Sequence, residues 1–307
     1  MELCSKLSMG KRIYLAGAGG MLGEAMYLQF REGYELQLSD IDVNESWLGT
    51  LDFRDLGEYR RQVKAFKPDL LFHVGAYTDL EYCEQHVEDT YATNTMAVEN
   101  AVYIANELDI PMLYISTAGI FDGKQELYDD WDQPNPMGAY ARSKYAAEVF
   151  VQHHARRGLI CRAGWMMGGG PRKDKKFVQK IMKQLKAGKT ELYIVNDKLG
   201  VPTYTHDFAG NVRALVEHEH WGLYNMVCDG LTSRLDVARE MVSLLGLRDK
   251  VRINEVSSSH FAKEFFAPRP DSERLLNRKL NLRKMNLMRD WKTALKEYLH
   301  GYYSDYL

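Results

Sequence analysis

Tyr140 and Lys144 stand four residues apart in the run Tyr140-Ala-Arg-Ser-Lys144. That spacing places both on one face of a helix. A buried ammonium beside a phenol favours the phenolate and pulls the phenol's pKa down from ~10 toward neutrality. Tyr140 is then an acid for a carbonyl oxygen that receives hydride, and a base in the reverse direction. Thr117 follows an apolar run and is placed to hydrogen-bond the same oxygen. Ser116 competes for that role, and a strand-end cap is the plain alternative. Far upstream lies Gly17-Ala-Gly19-Gly20-Met21-Leu22-Gly23. Gly17 permits a tight turn, Gly20 lets backbone N–H groups approach a pyrophosphate, and Gly23 lets a helix pack on a strand. Gly19, Met21 and Leu22 belong to the same cofactor-binding turn. A glycine turn without a ligand would use the same residues, but this one follows an apolar strand and opens a helix. The expected ligand is therefore a nicotinamide dinucleotide, NAD(H) or NADP(H). Asp40 lies near the ~20-residue spacing of an acid that hydrogen-bonds a ribose 2′-hydroxyl. No Lys or Arg falls between Asp40 and Phe53 to neutralise a 2′-phosphate, which favours NADH. Asp40 or Asp42 could instead be a turn residue. Asp52, with Phe53 beside it, is placed to meet the adenine amino group.

These residues need a scaffold that brings strand ends together. Strands are expected at Lys11–Ala16, Tyr34–Ser39, Asp69–Val74, Pro111–Ser116 and Gly158–Arg162. Helices are expected at about 20–31, at Tyr91–Leu108 and at Tyr140–His154. Strands alternating with helices predict an α/β fold, a Rossmann-type doubly wound parallel sheet with a smaller α/β C-terminal substrate lobe. The nucleotide belongs at the carboxyl edge of such a sheet. Residues 1–160 are expected to form the dinucleotide-binding domain, with 1–10 a flexible extension. Residues 161–307 are expected to be mainly the substrate lobe, with about 196–222 returning to the first domain. Gly168-Gly-Gly-Pro171 marks the break. The cations from Arg172 to Lys189 read either as a solvated helix face or, with Arg269, as partners for a diphosphate. Trp165 is either core or a platform that stacks on a sugar or base.

The bulk properties exclude several classes. The chain has 307 residues, enough for a large core. A net charge of -2 gives no general attraction to nucleic acid or acidic membranes. No apolar run approaches the ~20 residues that span a bilayer. Cys4, Cys83, Cys161 and Cys228 are scattered, and the nine histidines show no ligand spacing, so no metal site is expected. A reducing cytoplasm is the expected compartment.

Together these features resemble the extended short-chain dehydrogenase/reductase class, and within it the dTDP-4-dehydrorhamnose reductase family. The likeness runs from Lys11 to about Leu299. It is carried by Gly75-Ala76-Tyr77-Thr78, Asn94, Ser116-Thr117, Phe121-Asp-Gly123, Tyr140 to Glu148, Arg162-Ala-Gly-Trp165, Val195 to Tyr204, Asp207-Phe-Ala209, Arg269-Pro270 and Trp291 to Leu295. The resemblance implies that Gly75, Ala76, Tyr77, Asn94 and Ser116 bind cofactor with the glycine turn, Tyr140 and Lys144. It implies that Thr78, Ala118, Trp165 and Arg269 bind substrate. The implied activity is NAD(P)H-dependent reduction of the keto group of a nucleotide-activated 4-keto-6-deoxy sugar. A nucleotide sugar is thus the expected small-molecule partner and a second copy of the chain the expected protein partner. An NAD-dependent sugar-nucleotide epimerase, and a non-catalytic cofactor-binding subunit like that of methionine adenosyltransferase, are the alternatives. Three departures bear on the substrate. The family's Thr-Asp-Tyr is Thr117-Ala118-Gly119, an Asn is His73, and a Ser after Arg-Pro is Glu273.

Overall fold

The structure is a computed structural model that describes residues 10–307. Apart from Gly10, the expected N-terminal extension lies outside the described residues. The strands are β1 (Lys11–Ala16), β2 (Tyr34–Asp40), β3 (Leu48–Thr50), β4 (Leu70–His73), β5 (Met112–Thr117), β6 (Gly158–Ala163), β7 (Trp165–Met167), β8 (Glu191–Val195), β9 (Leu199–Gly200), β10 (Pro202–Tyr204), β11 (Gly222–Asn225), β12 (Thr232–Ser233) and β13 (Arg252–Val256). The helices are α1 (Met21–Phe30), α2 (Leu56–Phe66), α3 (Leu80–Gln85), α4 (Val87–Tyr91), α5 (Ala97–Glu107), α6 (Ala139–His154), α7 (Gly170–Lys173), α8 (Phe177–Lys186), α9 (Thr205–Glu217), α10 (Arg234–Leu244), α11 (Arg278–Arg283) and α12 (Trp291–Tyr303).

Seven strands form one sheet in the order β11-β6-β5-β4-β1-β2-β3, all parallel. The central strands are apolar on both faces, as a parallel sheet covered by helices demands: Ile13, Tyr14, Leu15 and Ala16 are all buried. One helical layer packs α1 and α9 against the sheet, and the other packs α2, α5 and α6. The expected α/β doubly wound architecture is the one found. Strand order reverses between β1 and β4, so their carboxyl ends diverge and leave a crevice.

Helix α9 packs on α1, and β11 pairs with β6 through Asn225. Strands β9 and β10 pair elsewhere, with β12 and β7. Beyond the crevice, β8 pairs in parallel with β13, beside α8 and α10. The expected helix Tyr91–Leu108 is helical from Tyr91 to Glu107, with a change of winding inside it. Residues Ala92–Met96 form a π-helical turn between α4 and α5. Such a widened turn re-aims side chains where function needs them.

Candidate active site

A cleft of about 1640 Å³ opens along the carboxyl ends of the sheet. One wall is the sheet edge and the glycine turn; the other comes from β7, α8, α10 and the segment around 258–273. Gly17 sits at φ +83, and a Cβ there would meet the Gly75 backbone at 2.2 Å. A Cβ on Gly23 would meet Ala18 O at 2.1 Å, whereas Gly20 faces open space. Helix α1 therefore begins against the cleft with no side chain capping its first-turn amides. Unpaired amides at a helix N-terminus attract an anion.

Every residue expected to hold cofactor lines this cleft except Asn94. Asp40 binds the Gly19 N–H at 2.7 Å and the Asp42 N–H at 3.0 Å, bracing the glycine turn. Asp52 is bound by Arg54, which holds its carboxyl below the usual carboxylate range. The same guanidinium also meets Asp89 at 3.0 Å, so Arg54 is committed twice. Phe53 packs edge-on to His73, and a Cβ on Gly75 would strike its ring at 2.3 Å. The buried hydroxyls of Ser116 and Thr93 lie on the cleft wall without a partner among the described residues. Open helix amides, orphaned hydroxyls and a turn that tolerates no Cβ together fit a pyrophosphate-linked dinucleotide.

Asn94 has a different place. It is fully buried, and its amide grips the Tyr77 backbone through N–H to Oδ1 at 2.8 Å and Nδ2 to O at 3.0 Å. It also donates to Ser143 Oγ on α6 at 3.2 Å. Asn94, inside the π-turn, thus ties the Gly75–Thr78 loop to the catalytic helix and does not line the cleft.

Helix α6 presents Tyr140 and Lys144 to the cleft, and β5 ends on Thr117 beside them. The Thr117 side chain interacts with the Tyr140 phenol, and its hydroxyl caps Gly119 N–H at 3.1 Å. The expected lowering of the phenol's pKa is not found. Burial pushes Tyr140 up to about 12, against the opposing pull of Thr117. Lys144 cannot reverse this, because burial drives its own pKa down to about 7, opposed by Glu148. Its ammonium lies 4.4 Å over the Tyr114 ring.

The substrate-side expectations change more. Ala118 is 1% exposed, packed in the main core, and does not line the cleft. The single 3₁₀ turn Ala118–Ile120 rotates it inward and leaves Gly119 facing the cleft. Trp165 lines the cleft with one face of its ring already covered. Arg234 lies 3.7 Å over its ring, and Gly200 presses on the benzo edge, where a Cβ would sit 2.2 Å from Cζ2. Arg269 lines the cleft, but Glu81 of α3 holds its guanidinium at 2.7 and 2.8 Å. The cations from Arg172 to Lys189 are not one solvated face. Arg172 pairs with Glu45, and the buried Lys173 pairs with Glu24 and Glu45. Lys176 reaches across to Thr78, donating to its O at 2.8 Å and its Oγ1 at 2.9 Å.

Two residues enter that sequence reasoning did not place. Arg234, at the start of α10, is clamped between Trp165 and Phe177, the latter at 4.7 Å. Burial lowers its pKa to about 10, and its guanidinium has no hydrogen-bond or ion-pair partner among the described residues. Glu273 projects to the same wall and accepts from Trp165 Nε1 at 2.5 Å. Its mismatch with the family was visible in the sequence; its position was not.

The chain matches the RmlD substrate binding domain over residues 11–304. It is 30% identical over 292 residues to a dTDP-4-dehydrorhamnose reductase of Mycobacterium tuberculosis, covering 93% of this chain and 91% of that one. It is 28% identical to the spore coat polysaccharide biosynthesis protein SpsK of Bacillus subtilis, covering 94% and 96%. Crystal structures of two dTDP-4-dehydrorhamnose reductases superpose closely. That from Yersinia enterocolitica has a TM-score of 0.85 at 32% identity, covering 94% and 99%. That from Bacillus anthracis, in complex with NADP, has a TM-score of 0.86 at 26% identity, covering 95% and 100%. With the Tyr/Lys helix, the glycine turn and the cleft between them in place, the chain belongs to the RmlD substrate-binding-domain family.

Proposed function

We propose that this protein is an NAD(P)H-dependent reductase of the keto group of a nucleotide-activated 4-keto-6-deoxy sugar, acting in deoxysugar biosynthesis. The observation that carries the reading is the convergence of Tyr140, Lys144 and Thr117 beside the uncapped start of α1 in one cleft. The first-turn amides of α1 would hold the cofactor's pyrophosphate, Asp40 a ribose hydroxyl, and Lys144 the nicotinamide ribose. The bound cofactor supplies hydride. Tyr140, protonated throughout the neutral range by its raised pKa, gives its proton to the substrate's carbonyl oxygen. Thr117 orients that oxygen. Lys144, with a pKa near neutrality, is able to return a proton toward the phenol. Arg234 takes over from Arg269 as the expected partner of the substrate's diphosphate, since its fork of donors is free and pre-ordered.

The reading extends to cofactor choice. Asp40 with no free cation near it favours NADH, because Arg54 is spent on Asp52 and Asp89. The test is purified protein with NADH or NADPH and dTDP- and UDP-linked 4-keto-6-deoxy sugars, followed by loss of nicotinamide absorbance. Oxidation that needs the keto sugar is the expected result. No oxidation with any sugar, despite tight cofactor binding, would transfer the protein to the class of non-catalytic cofactor binders.

A further inference from the structure

Glu273 stands where the resembling family has a Ser, and the structure brings its carboxylate to the catalytic centre. A Cβ built on Gly119 would lie 3.2 Å from Glu273 Oε1 and 3.5 Å from Thr117 Oγ1, so both oxygens flank one point beside the phenol. The second carboxylate oxygen, Oε2, is fixed by Trp165 Nε1 at 2.5 Å. The backbone fixes the position too: Glu273 N–H donates to Leu199 O at 2.9 Å, and Ser272 bridges to the same strand. Trp165 is in turn held by Arg234 and Gly200. Glu273 is half-buried, lines the cleft, and has no ion-pair partner among the described residues. Any side chain at 119 would press on this carboxylate, and glycine leaves it room.

We propose that Glu273 is a specificity-determining residue whose Oε1 accepts a hydrogen bond from a hydroxyl of the substrate's sugar ring next to the carbonyl that Tyr140 protonates. The inference rests on the reductase reading and adds to it which group reads the sugar. One oxygen of the carboxylate is spent on Trp165, so the other is oriented and its lone pairs face the cleft. A half-buried carboxylate selects a donor and rejects an acceptor at that place, with the charge of Arg234 helping to keep it ionised. Its charge also reaches the phenol. Burial does most to raise the Tyr140 pKa, Thr117 lowers it, and Cys83 from α3 and then Glu273 raise it further; Arg234 is the cation on which the charge of Glu273 acts.

The experiment compares dTDP-glucose with dTDP, and UDP-glucose with UDP, by calorimetry on the full chain with NADH present. Wild type, Glu273→Gln and Glu273→Ala are measured, each first checked for an unchanged melting temperature. The sugar should strengthen binding in wild type. Glu273→Ala should lose that increment by roughly 10- to 100-fold, the scale of a hydrogen bond to a charged group, with the bare nucleotide within about twofold of wild type. Glu273→Gln keeps an acceptor for Trp165 and should recover part of it. With a keto-sugar substrate, Glu273→Gln should also move the alkaline limb of kcat/KM to lower pH, which a merely structural residue would not do. A sugar increment unchanged in Glu273→Ala overturns the proposal and leaves the reductase reading standing. Failure of wild type to bind either nucleoside diphosphate or either sugar nucleotide overturns that reading, and the proposal with it.

Discussion

At the scale of single residues, charge and burial divide the work. Tyr140 keeps its proton because burial outweighs every nearby attraction, so it serves as a donor without help from a cation. Tyr140→Phe removes only that proton. Turnover should fall by ~10²–10⁴, the usual contribution of a positioned acid, with cofactor affinity little changed. Near-wild-type turnover of an accepted substrate in Tyr140→Phe would end the mechanism. Arg234 and Arg269 make a contrasting pair. Both guanidinium groups reach the cleft, but Glu81 already satisfies Arg269, whereas Trp165 and Phe177 hold Arg234 flat with its donors free. Arg234→Met keeps most of the packing and removes the charge. It should raise the KM for a sugar nucleotide by about 10- to 100-fold, on the scale of a charge-assisted hydrogen bond. NADH affinity should hold. Steady-state kinetics beside a cofactor titration decides it, and an unchanged KM would remove Arg234 from substrate binding.

At the scale of elements, the catalytic helix is fixed to the sheet by a buried ion pair. Glu148, one turn beyond Lys144, takes Arg162 of β6 at 2.6 and 3.0 Å with both side chains almost fully buried. Breaking such a pair strands a charge, which costs about 3–5 kcal/mol. Glu148→Gln should therefore lower stability on that scale in denaturant unfolding and also weaken turnover through the shifted helix. A loss below about 1 kcal/mol would show the pair to be dispensable. The sequence made this helix legible, because an i, i+4 Tyr/Lys pair and the flanking apolar spacing both belong to a regular helix. It made the long central strands legible for the same reason: their apolar runs are local. Strands β3, β7, β9, β10 and β12 are two or three residues long and carry no period to detect. The π-turn at Ala92–Met96 was hidden inside what reads as one continuous helix. Asn94, which braces the Tyr77 loop, lies within it. Glu273 and Arg234 were beyond reach for another reason. Their positions depend on Trp165, far away in the chain, and no local pattern encodes that meeting.

At the scale of the whole molecule, the active site costs stability because two bases are buried, His73 at the end of β4 against Tyr59 and Phe53, and Lys144 on α6. His73 is 1% exposed and Lys144 4%. Burial, then the charge of Lys144, takes His73 down from 6.5 to about 3. Burial takes Lys144 down from 10.5 to about 7. In each window the unfolded chain binds a proton that the folded chain refuses. Stability must therefore rise with pH from about 3 to 6.5 because of His73, and again from about 7 to 10.5 because of Lys144. Each pKa unit is worth about 1.4 kcal/mol, so each rise amounts to several kcal/mol. The His73 ring explains why the acid window exists: it bonds Tyr59 at 3.3 Å through Nδ1, packs on Phe53, and leaves Nε2 buried without a partner among the described residues. A proton added there would meet no acceptor. His73→Asn, which installs the residue common in the resembling family, removes the titration and should flatten the acid limb of the melting curve. Lys144→Met should melt higher than wild type at and below pH 7, by a margin that shrinks as pH approaches 10.5. Calorimetric melts of the three proteins across that range test both. An acid slope in His73→Asn as steep as wild type's would show that His73 does not set the acid sensitivity.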